Sequence, residues 1–133
     1  MTTFSCINCD TITNRSMEAL KNLDLQDFSL LGCYNVGSDS IAGLFTKCKR
    51  LRRVALSEVL LIDKPLNSLG EKCPNLEILH IIRSELDATC ITSLARGCPL
   101  LKHLQLDDIR VTEEGLRALA DCGPQLREVI FRS

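Results

Sequence analysis

Tryptophan is absent from this 133-residue chain and tyrosine occurs once, so any binding surface it builds lacks most of the aromatic anchors that usually dominate protein–protein affinity. An excess of either charge is also missing: 16 Lys and Arg stand against 17 Asp and Glu, a formal net charge of -1. With no global positive field to attract nucleic acid or an anionic membrane, partner choice has to rest on local surface. No stretch approaches the roughly 18 apolar residues of a membrane span, and the opening Met1-Thr2-Thr3-Phe4-Ser5-Cys6 has neither the basic nor the apolar run of a signal peptide. A cytoplasmic or nuclear protein is expected. No Pro/Gly/Ser-rich linker divides the chain, so residues 1–133 are read as a single domain. Gly-x-Ser-x-Gly, phosphate-loop and dinucleotide glycine patterns are lacking, and no cysteine has a histidine in an evident pairing position. The expectation is a non-enzyme without cofactor.

What is plentiful is apolar material, 45% of residues, and it recurs with a period. The frame Leu-x-x-Leu-x-Leu appears as Leu25/Phe28/Leu30, Leu51/Val54/Leu56, Leu76/Leu79/Ile81, Leu101/Leu104/Leu106 and Leu126/Val129/Phe131, with a weaker copy at Met1/Phe4/Cys6. Every frame position is apolar, which for 18 positions at this composition has a chance probability on the order of one in a million. Each frame ends in a two-residue alternation, as a strand with one buried face requires, and then changes to helical spacing. Ile41/Leu44/Phe45, Leu66/Leu69 and Ile91/Leu94/Ala95 mark inward helical faces, and Val111, Leu116, Leu119 and Ala120 are expected to do the same in the last helix. Helix starts are signalled by Ser38-Asp39, Asp63 before Pro65, Asp87 and Thr112-Glu113-Glu114. Ends are signalled by Gly97 and Gly123, with Pro74, Pro99 and Pro124 following. A strand–helix unit of this length cannot hide its own apolar face, so neighbouring units must stack. The predicted fold class is α/β: a right-handed solenoid with a parallel sheet on its concave side and helices on its convex side, about five repeats plus a final strand.

The phrase Cys98-Pro99-Leu100-Leu101-Lys102-His103-Leu104-Gln105-Leu106, followed by Val111-Thr112-Glu113-Glu114-Gly115-Leu116-Arg117-Ala118-Leu119-Ala120-Asp121-Cys122, resembles the cysteine-containing subclass of leucine-rich repeats. Cys73-Pro74-Asn75-Leu76-Glu77-Ile78-Leu79-His80-Ile81 looks like the same phrase, while the 51–75 copy departs by carrying Val59 where cysteine is usual and a shortened Asp63-Lys64-Pro65 link. The resemblance implies a ribonuclease-inhibitor-like solenoid related to the substrate-binding halves of F-box ubiquitin-ligase receptors, and to regulators of the cell cycle and of axonemes. No F-box segment precedes the repeats, so on this resemblance the sequence supplies a binding part alone.

The eight cysteines are read as structural. Cys48, Cys73, Cys98 and Cys122 form one column at the helix-to-strand corner, and Cys9 and Cys33 a second. Small buried thiols with weak S–H contacts to carbonyls explain both. Parallel side-chain directions argue against bridging along a column. Cys6-x-x-Cys9 has no second pair to complete a zinc set, and no metal site is expected. His80, His103 and Asp107 are the residues a metal or general base would use, with polar contacts in a binding surface the favoured alternative. The basic run Lys47-Cys48-Lys49-Arg50-Leu51-Arg52-Arg53 is read as a solvated corner, with a phosphate or acidic-partner contact as the alternative.

Residues that alternate with the frame must project from the open face of the sheet, and there the partner protein is expected to bind. One column is Asp27, Arg53, Ile78, His103 and Glu128; the next is Ser29, Ala55, His80, Gln105 and Ile130; the third is Leu31, Ser57, Ile82, Asp107 and Arg132. Acidic substitution of His80 and Ile82 together is expected to abolish binding without unfolding the chain. The function that follows is protein–protein interaction, and the resemblance implies substrate recognition in ubiquitin-ligase or cell-cycle machinery. A structural subunit of a large axonemal or organellar assembly is the alternative. Neither end shows a polar capping unit, so a longer solenoid, or self-association through uncapped ends, is expected.

Overall fold

The computed structural model describes residues 2–84, 86–122 and 125–133. Strands and helices alternate throughout: β1 (Thr2–Ile7), α1 (Asn14–Leu20), β2 (Leu25–Leu31), α2 (Ser38–Lys47), β3 (Arg53–Ser57), α3 (Asp63–Lys72), β4 (Ile78–Ile82), α4 (Ala88–Gly97), β5 (His103–Asp107), α5 (Glu113–Cys122) and β6 (Glu128–Arg132). The strands form one parallel sheet in sequence order, each paired with the next, and each helix packs on the next helix. Strands repeat at about 4.8 Å and helices at about 8–10 Å, so the helical side must be longer and the sheet lies on the inner side of the arc.

The expected frame is the core. Leu25, Leu51, Leu76 and Leu101 form one buried row, Phe28, Val54, Leu79 and Leu104 the next, and Leu30, Leu56, Ile81 and Leu106 the third. Phe4 stacks on Phe28, which meets the Phe45 ring edge-on, tying the first strands to α2. In the last unit burial fails: Val129 is 37% exposed and Phe131 46%. Leu116 of α5 occupies the position of Ile91 one repeat on but is 45% exposed, and Ala120 is exposed too, whereas Ile91 is 2%. Among the described residues no unit follows to cover these side chains. The expected inward face of the last helix is therefore covered only in part, at Val111 and Leu119.

Helix starts follow the expected chemistry in part. Asp87 accepts the Cys90 amide at 2.9 Å and Thr112 Oγ1 accepts the Gly115 amide at 3.1 Å. Gly37 precedes α2 and Ile62 precedes α3, so Asp39 and Asp63 sit inside the first turn, where they oppose the helix dipole. Gly97 is not a left-handed stop. It is the last residue of α4, and Gly32 is the only glycine with positive φ among the described residues. Gly97 and Gly70 serve instead to let α4 approach α3: a Cβ on Gly97 would fall 1.5 Å from the Gly70 carbonyl oxygen. The stop signals Gly123 and Pro124, the frame position Met1 and the side chain of Cys122 lie outside the described residues.

Cys48, Cys73 and Cys98 cap the C-termini of α2, α3 and α4. Their thiols donate to carbonyls of the preceding repeat, Cys48 to Leu23 at 3.7 Å, Cys73 to Phe45 at 3.5 Å and Cys98 to Cys73 at 3.4 Å. The first column is thus a ladder of buried S–H donors, as its spacing suggested. In the second column Cys33 donates to the Cys6 and Leu31 carbonyls. Cys6 and Cys9, read from sequence as separate thiols, form a disulfide within the first repeat. The two side chains meet because the chain turns at Asn8, with φ 54°, between them.

Candidate functional site: the free face of the sheet

Strand register decides which side chains stand together. The ladders align Asp27, Arg53, Ile78, His103 and Glu128 as one row, and Ser29, Ala55, His80, Gln105 and Ile130 as a second. Ser57, Ile82, Asp107 and Arg132 form the third. Leu31 is aligned with Ile7 on its other side, while the paired ladder to β3 closes at Leu30–Leu56 and the Gly32 amide donates to the Ser57 hydroxyl at 2.8 Å. None of the fifteen residues is buried; Arg53, Glu128 and Arg132 are exposed and the rest half-buried. Alternation thus delivers one continuous polar and apolar face.

Its middle is shallow. Ala55 is small and Ile78 lies beside it, so the floor dips between Arg53, His80, His103 and Glu128. His80 Nε2 lies 2.8 Å from Asp107 Oδ2, while Gln105 Nε2 donates to the same carboxylate at 3.1 and 3.3 Å. The His80 contact, followed by that of Gln105, holds the Asp107 carboxyl below the usual carboxylate range. His103 does not join this cluster; its Nδ1 faces Glu128 Oε1 at 3.4 Å. The three groups singled out for a metal or general base are therefore split between two separate pairs. Because His80 adjoins Asp107, an acidic residue at 80 would set two carboxylates together, and Ile82 is paired with Asp107 as well. Acidic substitution there would set like charges in register, which costs a sheet some stability.

One other set of possible donor atoms occurs among the described residues. Asp63, Asp87 and the buried Cys90 have donor atoms within 4.8 Å of one another. Internal bonds already account for it: Asp87 caps α4, and Cys90 donates its thiol to Asp63 at 3.3 Å. Burial and those carboxylates push the Cys90 thiol up, away from the thiolate a metal would require.

The basic run is largely answered within the chain. Arg50 meets Asp24 at 2.8 Å, Arg52 meets Glu77 at 2.5 Å, and Arg53 stands 3.9 Å from Asp27. Periodicity did not reveal a second row, of residues that follow each strand directly. Asn8, Gly32, Glu58, Arg83 and Asp108 all have left-handed backbone, with φ between 50° and 64°. Asn, Gly and Asp are the residue types that tolerate this conformation, a signal present at three of the five positions. Glu58, Arg83 and Asp108 then make a charge relay along the edge, Arg83 binding Glu58 at 2.9 Å and Asp108 at 3.5 Å.

No protein-family model matches the chain. It is similar to F-box/LRR-repeat protein 23 of Arabidopsis thaliana, 28% identical over 120 residues, with 84% of this chain aligned to 26% of that protein. GRR1-like protein 1 of the same plant is 29% identical over 126 residues, covering 89% of this chain and 21% of the relative. The chain thus spans about a quarter or less of the curated relatives it matches. Among solved structures it is similar to a tropomodulin C-terminal domain from Caenorhabditis elegans, with TM-score 0.57 and 13% identity, over 100% of this chain and 74% of that one. At that identity the likeness speaks to the fold alone.

Proposed function

We propose that this leucine-rich-repeat solenoid, with F-box/LRR-repeat proteins as its sequence relatives, binds a partner protein across the free face of its sheet. The observation that carries the reading is the register-aligned dip over Ala55 and Ile78, walled by Arg53, His80, His103 and Glu128. Small residues set a recess, an isoleucine supplies apolar floor, and side chains of both charges give orientation, the mixture found where a partner side chain is recognised. On the F-box resemblance the partner is a protein presented to a ubiquitin ligase, and the chain acts without catalytic chemistry of its own.

The test is quantitative affinity capture from cells with the parent chain and with Ile78→Asp. That substitution stands beside Arg53 in its row, so the new carboxylate has a cationic neighbour and the fold is retained. Partners that bind the parent and are lost tenfold or more from the variant support the reading. A partner set unchanged by the substitution refutes it.

A further inference from the structure

The nearly balanced charge of the chain conceals a polarised molecule. On the rim where strands end and helices begin, the connecting segments plus the first two residues of each helix cover 8–15, 32–39, 58–64, 83–89 and 108–114. Their described residues hold eight acidic side chains and four basic ones, a net of -4. On the opposite rim, the last two helical residues plus the connections cover 19–24, 46–52, 71–77, 96–102 and 121–127. These described residues hold nine basic and four acidic side chains, a net of +5. Helix dipoles account for part of this asymmetry, since five parallel helices place about +2.5 charges at the first rim and about −2.5 at the second. They offset about five-eighths of the first excess and half of the second, so the first rim stays negative.

Amid that negative rim stand two of the most exposed apolar residues in the protein. Leu60 is 86% exposed and Leu61 77%, with Tyr34 of the preceding repeat at 66% beside them. The leucines are held out. Val59 packs against the core on one side of the pair and Ile62 is buried on the other, while Leu61 has φ 56°, a conformation that costs leucine about 1 kcal/mol or more. The Tyr34 hydroxyl is fixed on Glu58 at 2.7 Å, which Arg83 holds in turn, so the ring stands as one wall of the patch. Of the charged side chains that line this region, Glu58 and Asp63 are acidic and Arg83, paired with Glu58, is basic.

We propose that the Leu60–Leu61–Tyr34 patch is a second docking surface, for a short partner segment that carries aliphatic side chains flanked by lysine or arginine. Charge complementarity selects the flanking residues, and the leucines and the tyrosine ring select the aliphatic ones. Area separates a segment from a second copy of the chain. Three exposed side chains offer a few hundred Å², short of the roughly 800 Å² that each partner buries in a standard interface between folded proteins. The patch lies at the strand-end rim, beyond the free face of the sheet, and its occupation is independent of binding over Ala55 and Ile78.

The test uses the full chain and two fluorescent 12-residue peptides, each with two adjacent leucines, one flanked by lysines and arginines and the other by glutamates. The basic peptide binds the parent, binds Leu60→Ser/Leu61→Ser at least tenfold more weakly, binds Ile78→Asp as it binds the parent, and weakens as salt is raised. Since both leucines are exposed, the double variant keeps the parent's melting temperature. Three results overturn the proposal: equal binding of the acidic peptide, no binding of the basic peptide at millimolar concentration, or unchanged binding to the serine variant. Sedimentation of the parent as a dimer that the serine variant dissolves also overturns it, because a second copy then occupies the patch.

Discussion

The carbonyl oxygen of Gly70 in α3 stands where the side chain of Gly97 in α4 would begin, so the two helices are in backbone contact and any Cβ at 97 must separate them. A Cβ on Gly70 would likewise fall 2.6 Å from the Ser93 carbonyl. The obstacles are backbone atoms on both sides and cannot rotate away as a flexible side chain would.

Gly97→Ala is therefore expected to destabilise the chain by more than about 3 kcal/mol, at the severe end for a point substitution, through displacement of α4 from α3. Gly37→Ala is its control, since a Cβ there meets nothing nearer than 3.7 Å. Urea unfolding of both variants checks the contrast. Equal midpoints would show that the helices have room to separate at no cost.

Burial along the sheet predicts a gradient of sensitivity. Leu104 is 3% exposed and its neighbour in register, Val129, 37%. Leu104→Ala is expected to cost about 2–5 kcal/mol, as buried leucines do, and Val129→Ala less than about 1 kcal/mol because its site is already open to water. Denaturant titrations of the two variants at a single pH measure the difference directly.

The repeat was legible because its signal is collective. Leu51, Leu76 and Leu101 each need one buried slot, and together they reveal a period that no single leucine could. Register followed from it, so Ala55, His80 and Gln105 could be placed side by side before any coordinates. Contacts set by side-chain rotation were not legible: His80 reaches Asp107, while His103 turns to Glu128. Nor was the exposure of Leu116 or Phe131, whose periodicity matches that of Ile91 and Leu106 but which have no following unit against them among the described residues. Gly97 misled for another reason. A glycine near a helix end is as consistent with close backbone approach as with a left-handed stop, and only the neighbouring helix distinguishes the two.

Burial pushes the thiols of Cys73 and Cys98 up to about 12. At pH 8 only about one such thiol in ten thousand is thiolate, against about a quarter of ordinary ones. Iodoacetamide at that pH is expected to leave both unmodified in the folded chain and to alkylate them once urea unfolds it, as peptide mass mapping will show. A raised folded-state value also sets the sign of the pH dependence. The stabilisation is complete below the unfolded thiol value, about 8.5, and is lost as pH climbs toward 12. Urea midpoints should fall above about pH 9, and less steeply in Cys73→Ala.

Glu77 shows the opposite linkage. Arg52 holds its carboxylate at 2.5 Å and Lys102 stands 3.6 Å away, so the Arg52 hydrogen bond, ahead of every other influence, keeps Glu77 below the usual carboxylate range. A depressed value means that the stabilisation is present above the unfolded glutamate value, about 4.3, and is lost as pH falls through the folded one. Glu77→Gln keeps the size of the side chain but not its charge, so it should melt below the parent at pH 7, and the gap should close as pH falls through the folded glutamate value. Because the pair is partly solvated, salt should narrow the gap at pH 7. A gap that does not narrow at all as pH falls below the unfolded glutamate value, about 4.3, would mean that Glu77 acts through shape and hydrogen bonding, and that the two cations beside it contribute nothing through their charge.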